Sequence, residues 1–123
     1  MPNTLILLAH GSRDPRWCAP FEHIRERAQT QAPHARIKLA FLEMASPSLS
    51  QTLEAVLQQN GTAMVQVLPL FMASGGGHLN RDVPEILAEF NRRYPEAELE
   101  QLPPIGEHPQ VRQAMIDAIA ESL

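Results

Sequence analysis

The chain contains a single cysteine, Cys18. One thiol can form no internal disulfide, and no second cysteine stands by to complete a cysteine-based metal site. A basic surplus is missing as well: Lys and Arg number 10 against 14 Asp and Glu, for a formal net charge of -4. A nucleic-acid binder ordinarily shows a basic face, so nucleic acid is not expected as a partner. Long hydrophobic runs are also lacking. The opening apolar run, Thr4 to Ala9, is too short for a signal or membrane span and follows no basic region. No membrane partner is therefore expected, and the protein reads as soluble and cytoplasmic. Neither G-x-x-x-x-G-K-[ST] nor a G-x-G-x-x-G after the first apolar run is present, so the usual nucleotide-phosphate loops are absent.

What remains is an ordinary globular composition. The 123 residues are 44% hydrophobic and 20% charged. That suits one domain, residues 1–123, with a core that needs no staples. Thr4 to Ala9 shows no alternation, as in strands covered on both faces. Arg36–Leu42 and Ala63–Leu68 are two more short strands, and the alternating Ala97–Leu102 reads as a less buried edge strand. Apolar stripes at helical spacing lie between and after them: Trp17, Phe21, Ile24, Ala28; Leu49, Leu53, Val56, Leu57; Val83, Ile86, Leu87, Phe90; and Val111, Ala114, Met115, Ala118, Ile119. These stripes are expected to be core. Ser46-Pro47 fits a helix start and Asn60-Gly61 a helix stop. The order β-α-β-α-β-α-β-α predicts an α/β fold, a four-stranded parallel sheet with helices on both faces.

Such sheets bind ligands beyond the carboxyl ends of their strands. Three coordinating side chains are placed there by the sequence: His10 after the first strand, Glu43 after the second, and His78 at the close of the long connection after the third. Two imidazoles and a carboxylate suit cobalt, iron, nickel or zinc better than magnesium or calcium. Each residue also has a plainer reading: His10 as a turn residue, Glu43 as a solvated loop acid, His78 as a helix cap. It is the conjunction at successive strand ends that points to a site. SGGGH, Ser74 to His78, permits unusual dihedrals and close backbone approach, as a lip for a flat ligand or as a plain surface loop. His23 and His34 read as surface residues, His108 as the start of the last helix, and Cys18 as a small buried filler.

HGSRDP after the first strand, FLEMASPSL at the second, PLFMASGGGHLNRDVP at the third and GEHP near the end resemble the short form of the sirohydrochlorin cobaltochelatase family. These are class II chelatases, related to the sirohydrochlorin ferrochelatases and nickelochelatases, and the resemblance spans nearly the whole chain in the same order. It implies a chelatase-like half domain that inserts a divalent metal into sirohydrochlorin without ATP. The substrate metal would be Co2+, or Fe2+ or Ni2+, with no further cofactor, in cobalamin or siroheme formation. It implies that His10 and His78 face the metal, the first as proton acceptor, that Glu43 is the family's acid at the second strand end, and that Ser46, Ala73, Ser74, Gly75, Gly76 and Gly77 contact substrate. The glycine stretch is one residue longer than the usual pattern, and Ser46 stands where the family often has an acid. The family also has a long form with two such halves fused, so a single half implies a homodimer.

Insertion requires that the ion shed water, that two pyrrole N–H protons leave and that the ring admit the metal. Imidazoles, with an ordinary pKa of about 6.5, can hold metal or accept a proton near neutrality. Glu43 can orient a histidine, bind metal through water or relay protons. Sirohydrochlorin is rich in carboxylates while the chain is acidic, so Arg13 and Arg81, beside His10 and His78, are expected to meet it. The alternative for these arginines is local pairing with Asp14 and Asp82. Two other functions compete: a non-catalytic carrier of metal or tetrapyrrole using the same residues, and phosphoryl transfer of the histidine-phosphatase kind. The second wants an arginine directly before the histidine, where this chain has Ala9.

Overall fold

The computed structural model describes residues 3–73 and 78–123, apart from the side chains of His78 and Leu79. Four strands, β1 (Thr4–Ala9), β2 (Arg36–Phe41), β3 (Met64–Pro69) and β4 (Glu98–Gln101), alternate with four α-helices: α1 (Pro15–Gln31), α2 (Leu49–Gln59), α3 (Val83–Arg93) and α4 (Pro109–Glu121). A π-helical turn, His78–Asp82, precedes α3, and a 3-10 turn, Ile105–Glu107, precedes α4. All strands run parallel in the order β2-β1-β3-β4. The order switches direction at β1, so the carboxyl ends of β1 and its neighbours border a crevice. No helix of the described residues is long and apolar enough to cross a membrane.

Side-chain alternation sorts the core. Ile6, Leu8, Ala40, Val65 and Val67 point to one sheet face and meet Leu49, Leu53 and Leu57 of α2 and Val83, Leu87 and Phe90 of α3. Both stripes behave as their spacing predicts. On the opposite face Ala9 and Phe41 pack on Cys18 and Phe21 of α1. Here the expected stripe is covered only in part: Phe21 packs on this cluster and Ala28 is half-buried, while Trp17 and Ile24 lie 71% and 49% exposed and Cys18, outside the stripe, is buried. One residue of helix is a 100° turn, and α1 has apolar side chains on both candidate lines, so only its seat on the sheet decides between them. Gln29 completes that seat: its amide donates to the carbonyls of Ala32 and Ala35 and accepts from the Ile37 N–H.

Two more expectations are corrected. The stripe on α4 is not core, for none of that helix is buried. The start of α2 is Ser48 rather than Ser46-Pro47. Ser48 Oγ accepts from the Gln51 N–H while the Gln51 side chain accepts from the Ser48 N–H, a reciprocal cap. Ser48→Ala is expected to lower stability by about 1 kcal/mol, read as a smaller unfolding midpoint in urea at unchanged slope.

Candidate functional site

The parallel ladder does not stop where the strands do. Beyond Phe41, the Leu42 N–H donates to the Ala9 carbonyl at 2.8 Å and the Glu43 N–H to the His10 carbonyl at 3.0 Å. These two bonds set His10 and Glu43 side by side on the carboxyl rim of the sheet. Gly11 makes the close approach possible. Its φ is +98°, and a Cβ there would lie 1.8 Å from the Glu43 carbonyl oxygen, so neither the backbone angle nor the space admits a side chain. Immediately after Glu43 the chain turns through Met44 at φ 62°, an uncommon angle for a residue with a side chain.

The side chains meet as well. His10 Nε2 lies 3.3 Å from Glu43 Oε1, and His10 Nδ1 lies 3.3 Å from the Gly11 carbonyl oxygen. With a proton on Nδ1 donated to that carbonyl, Nε2 presents a bare lone pair to a carboxylate. Two acceptors at this separation repel unless a cation, a proton or a metal ion, lies between them. At the roughly 2.0–2.2 Å ligand distances of a first-row divalent ion, donors 3.3 Å apart subtend about 100°, within the range of tetrahedral and octahedral sites. The pair is open to solvent, with 60% of the His10 side chain and 39% of the Glu43 side chain exposed. Phe71 stands edge-on to the imidazole, ring centroids 6.3 Å apart, and limits its tilt from the β3 side. Among the described residues no third His, Cys, Asp or Glu completes a cluster.

The other expected residues are spread along the same rim or lie elsewhere. Arg13 is exposed just beyond His10. The alternative for it, local pairing with Asp14, does not form, because Asp14 is engaged by Arg16: the carboxylate caps α1 by accepting from the Arg16 N–H at 2.9 Å and binds the guanidinium at 2.8 Å. That hydrogen bonding holds the Asp14 carboxyl below its usual range. Arg81 does approach Asp82, Nε to Oδ1 3.8 Å. Ser46 lines a groove of about 600 Å³ on the outer edge of β2, between α1 and α2, whose lining includes neither His10 nor Glu43. Ala73 is exposed at the end of the connection leaving β3. Ser74, Gly75, Gly76, Gly77 and the His78 side chain lie outside the described residues; the His78 backbone opens the turn ahead of α3.

Several residues of the rim escaped the sequence reading. Trp17, Met44 and Met72 are 71%, 57% and 56% exposed, each a short step along the chain from His10, Glu43 or the β3 connection. Apolar side chains left in water beside polar donors suit a flat ligand with an apolar face and a polar edge. Gly106 pins the β3 connection: its N–H donates to the Phe71 carbonyl, and a Cβ there would sit 2.4 Å from Met72 Cα. A glycine inside GEHP was the one available signal for that contact. Burial, which no local pattern reports, is what separates these methionines from core ones.

Comparison with known proteins extends the geometry. Of the curated relatives, a sirohydrochlorin ferrochelatase of Priestia megaterium is 26% identical over 98% of this chain and 44% of its own length. A sirohydrochlorin cobaltochelatase of Methanopyrus kandleri is 25% identical over 97% of this chain and 96% of its own. The chain thus spans less than half of the first and nearly all of the second. Among solved structures, a cobalamin (vitamin B12) biosynthesis CbiX protein from Marinobacter aquaeolei VT8 superposes with a TM-score of 0.81 at 33% identity, covering 99% of this chain and 95% of that one. The sirohydrochlorin chelatase SirB from Bacillus subtilis subspecies spizizenii, solved in complex with cobalt, gives 0.81 at 25% identity over 98% of this chain and 51% of its own. The model of the CbiX family matches residues 4–122. The sheet of parallel strands with its helices is thus shared architecture, and the chain belongs to the CbiX family.

Proposed function

We propose that this chain, acting as a single domain in the cytoplasm, inserts a divalent metal into sirohydrochlorin without ATP. The observation that carries the reading is the His10–Glu43 pair: an imidazole nitrogen and a carboxylate oxygen held 3.3 Å apart in solvent, on the rim where the fold puts its ligands. The family's curated members support the reaction class, being cobalto- and ferrochelatases for sirohydrochlorin. In this reading His10 and His78 hold the incoming ion, and Glu43 keeps the His10 ring in place and shares the ion or a proton with it. The ring gives up two pyrrole protons as the metal enters; His10, once relieved of metal, takes one and solvent water takes the other. Arg13 meets substrate carboxylates, Trp17, Met44 and Met72 lie against the macrocycle, and Ser46 and residues 73–77 line its approach. Fixing ion and ring together supplies much of the acceleration by proximity.

Cobalt is the proposed physiological metal, with iron and nickel as the other ions this donor set accepts. Homodimerisation is proposed with it. Four strands offer a narrow rim for a tetrapyrrole, and the chain spans only 51% of SirB, so a second copy would supply the other wall of the cleft. The test is sirohydrochlorin mixed with Co2+, Fe2+ or Ni2+ and catalytic amounts of protein, followed by visible absorbance. Turnover of many equivalents, fastest with Co2+, is expected. Spectral change that halts at one equivalent of protein would make the chain a carrier, the one competing reading the same geometry allows.

A further inference from the structure

The GEHP stretch supplies no group that the proposed reaction uses, yet its glycine reaches the site. Beyond β3 the chain is tied from two directions. The Leu70 N–H donates to the Leu8 carbonyl at 2.8 Å, which carries the β1 ladder past the end of the strand. One residue on, the Phe71 carbonyl accepts from the Gly106 N–H at 2.9 Å, and the buried Gly106 has no room for a side chain against the Met72 backbone. The turn that presents Gly106 is fixed in its own right. Its Glu107 and His108 N–H groups donate to the Pro104 and Ile105 carbonyls, and Arg112 Nε of α4 donates to the Gly106 carbonyl at 3.1 Å. Phe71 is thus gripped through its own carbonyl and the residue before it. Its ring lies partly buried against the core and tilted 64° to the His10 imidazole.

His10 needs such a neighbour. Its side chain is 60% exposed, and the terminal torsion of a histidine is intrinsically broad. Glu43 bounds the ring from the β2 side and Phe71 from the β3 side, so the two strands flanking β1 each supply one wall. A tilted pair of aromatic rings is also the arrangement their charge distributions favour. We infer that Phe71 is a positioning residue for His10, and that Gly106, from the far end of the chain, positions Phe71. The Gly106–Phe71 bond holds the phenyl ring, the phenyl ring limits the swing of the imidazole, and Nε2 stays directed at Glu43. Phe71 has no donor or acceptor on its side chain and takes no part in holding the ion or the proton. Its effect falls on the fraction of time that Nε2 faces the ion, and so on kcat rather than on tetrapyrrole binding.

The kinetic half of this inference rests on the reaction proposed above; the restraint on the ring does not, so two readouts are used. The first is NMR of isotope-labelled histidines in protein without metal or sirohydrochlorin. Phe71→Leu keeps an apolar side chain against the core. It is expected to shift the His10 ring protons, through loss of the phenyl ring current, and to lower the order parameter of that ring, with His23 and His34 unchanged. Phe71→Tyr keeps both signals. The second readout is insertion of Co2+ into sirohydrochlorin. Phe71→Leu is expected to lower kcat about 3- to 10-fold with KM for sirohydrochlorin within about twofold, and Phe71→Tyr to restore the rate. Gly106→Ala brings a Cβ to 2.4 Å from Met72 Cα and is expected to slow insertion in the same way. Added to Phe71→Leu it should cost less than about twofold more, because the two residues act in series. Should Gly106→Ala not fold, Arg112→Met, which removes the Nε bond to the Gly106 carbonyl, takes its place. A His10 ring as ordered in Phe71→Leu as in wild type, a rise in KM alone, or losses that multiply in the double variant would each overturn the inference. A wild-type protein without insertion activity overturns the proposed reaction, and the NMR readout still decides the restraint.

Discussion

His10→Ala is expected to cost at least about 100-fold in kcat/KM for metal insertion, roughly 2.7 kcal/mol of transition-state stabilisation, while the protein remains folded. The expectation follows from what the imidazole does and does not touch. Its side chain is 60% exposed, so its removal leaves no cavity, and the backbone bond that sets the rim, Glu43 N–H to His10 carbonyl, survives the substitution. What is lost is the nitrogen facing Glu43, which under the proposed function is a donor for the ion and an acceptor for a pyrrole proton. His78→Ala should give a loss of the same order if, as proposed, it is the second donor that holds the ion. Insertion kinetics beside a thermal melt check both. Wild-type rates in either variant would remove that histidine from the mechanism.

Gly11→Ala should do the opposite: damage the fold first and the chemistry through it. The new Cβ would fall 1.8 Å from the Glu43 carbonyl oxygen, and φ of +98° is strained for any L side chain. Relief requires the loop after β2 to move away from the loop after β1, which breaks the ladder bonds holding Glu43 against His10. A loss of about 2–5 kcal/mol in unfolding free energy is expected, checked by urea denaturation. The surviving folded fraction should insert metal slowly, because its His10–Glu43 separation is no longer set. Gly11→Ala with wild-type stability and rate would mean that the two loops are not coupled as described.

These two residues mark how far the primary structure can be read. His10, Glu43 and the strands behind them were legible because a parallel strand buried on both faces is written as an unbroken apolar run, and its end as the first polar residue. β1 begins and ends where the run Thr4 to Ala9 does, and the other strands fall within a residue or so of their runs. The stripes of α2 and α3 were legible for a similar reason: each has a single apolar face. Where a helix has two, as α1 does, local spacing chose Trp17 and Ile24 and the sheet chose Cys18. Where a helix has one apolar face and no seat in its own chain, as α4 does, spacing predicted burial that the monomer does not provide.

By itself, then, the order of residues determined the elements, their parallel arrangement and which polar groups stand at the strand ends, because those follow from hydrophobic periodicity and chain connectivity, both local quantities. Only the tertiary structure decided that the His10 ring and the Glu43 carboxylate meet at 3.3 Å, that Gly11 is the contact that lets them, and that Met44 and Met72 face water. Those are distances between segments dozens of residues apart, set by ladder register and packing, and no window along the chain contains both ends of them.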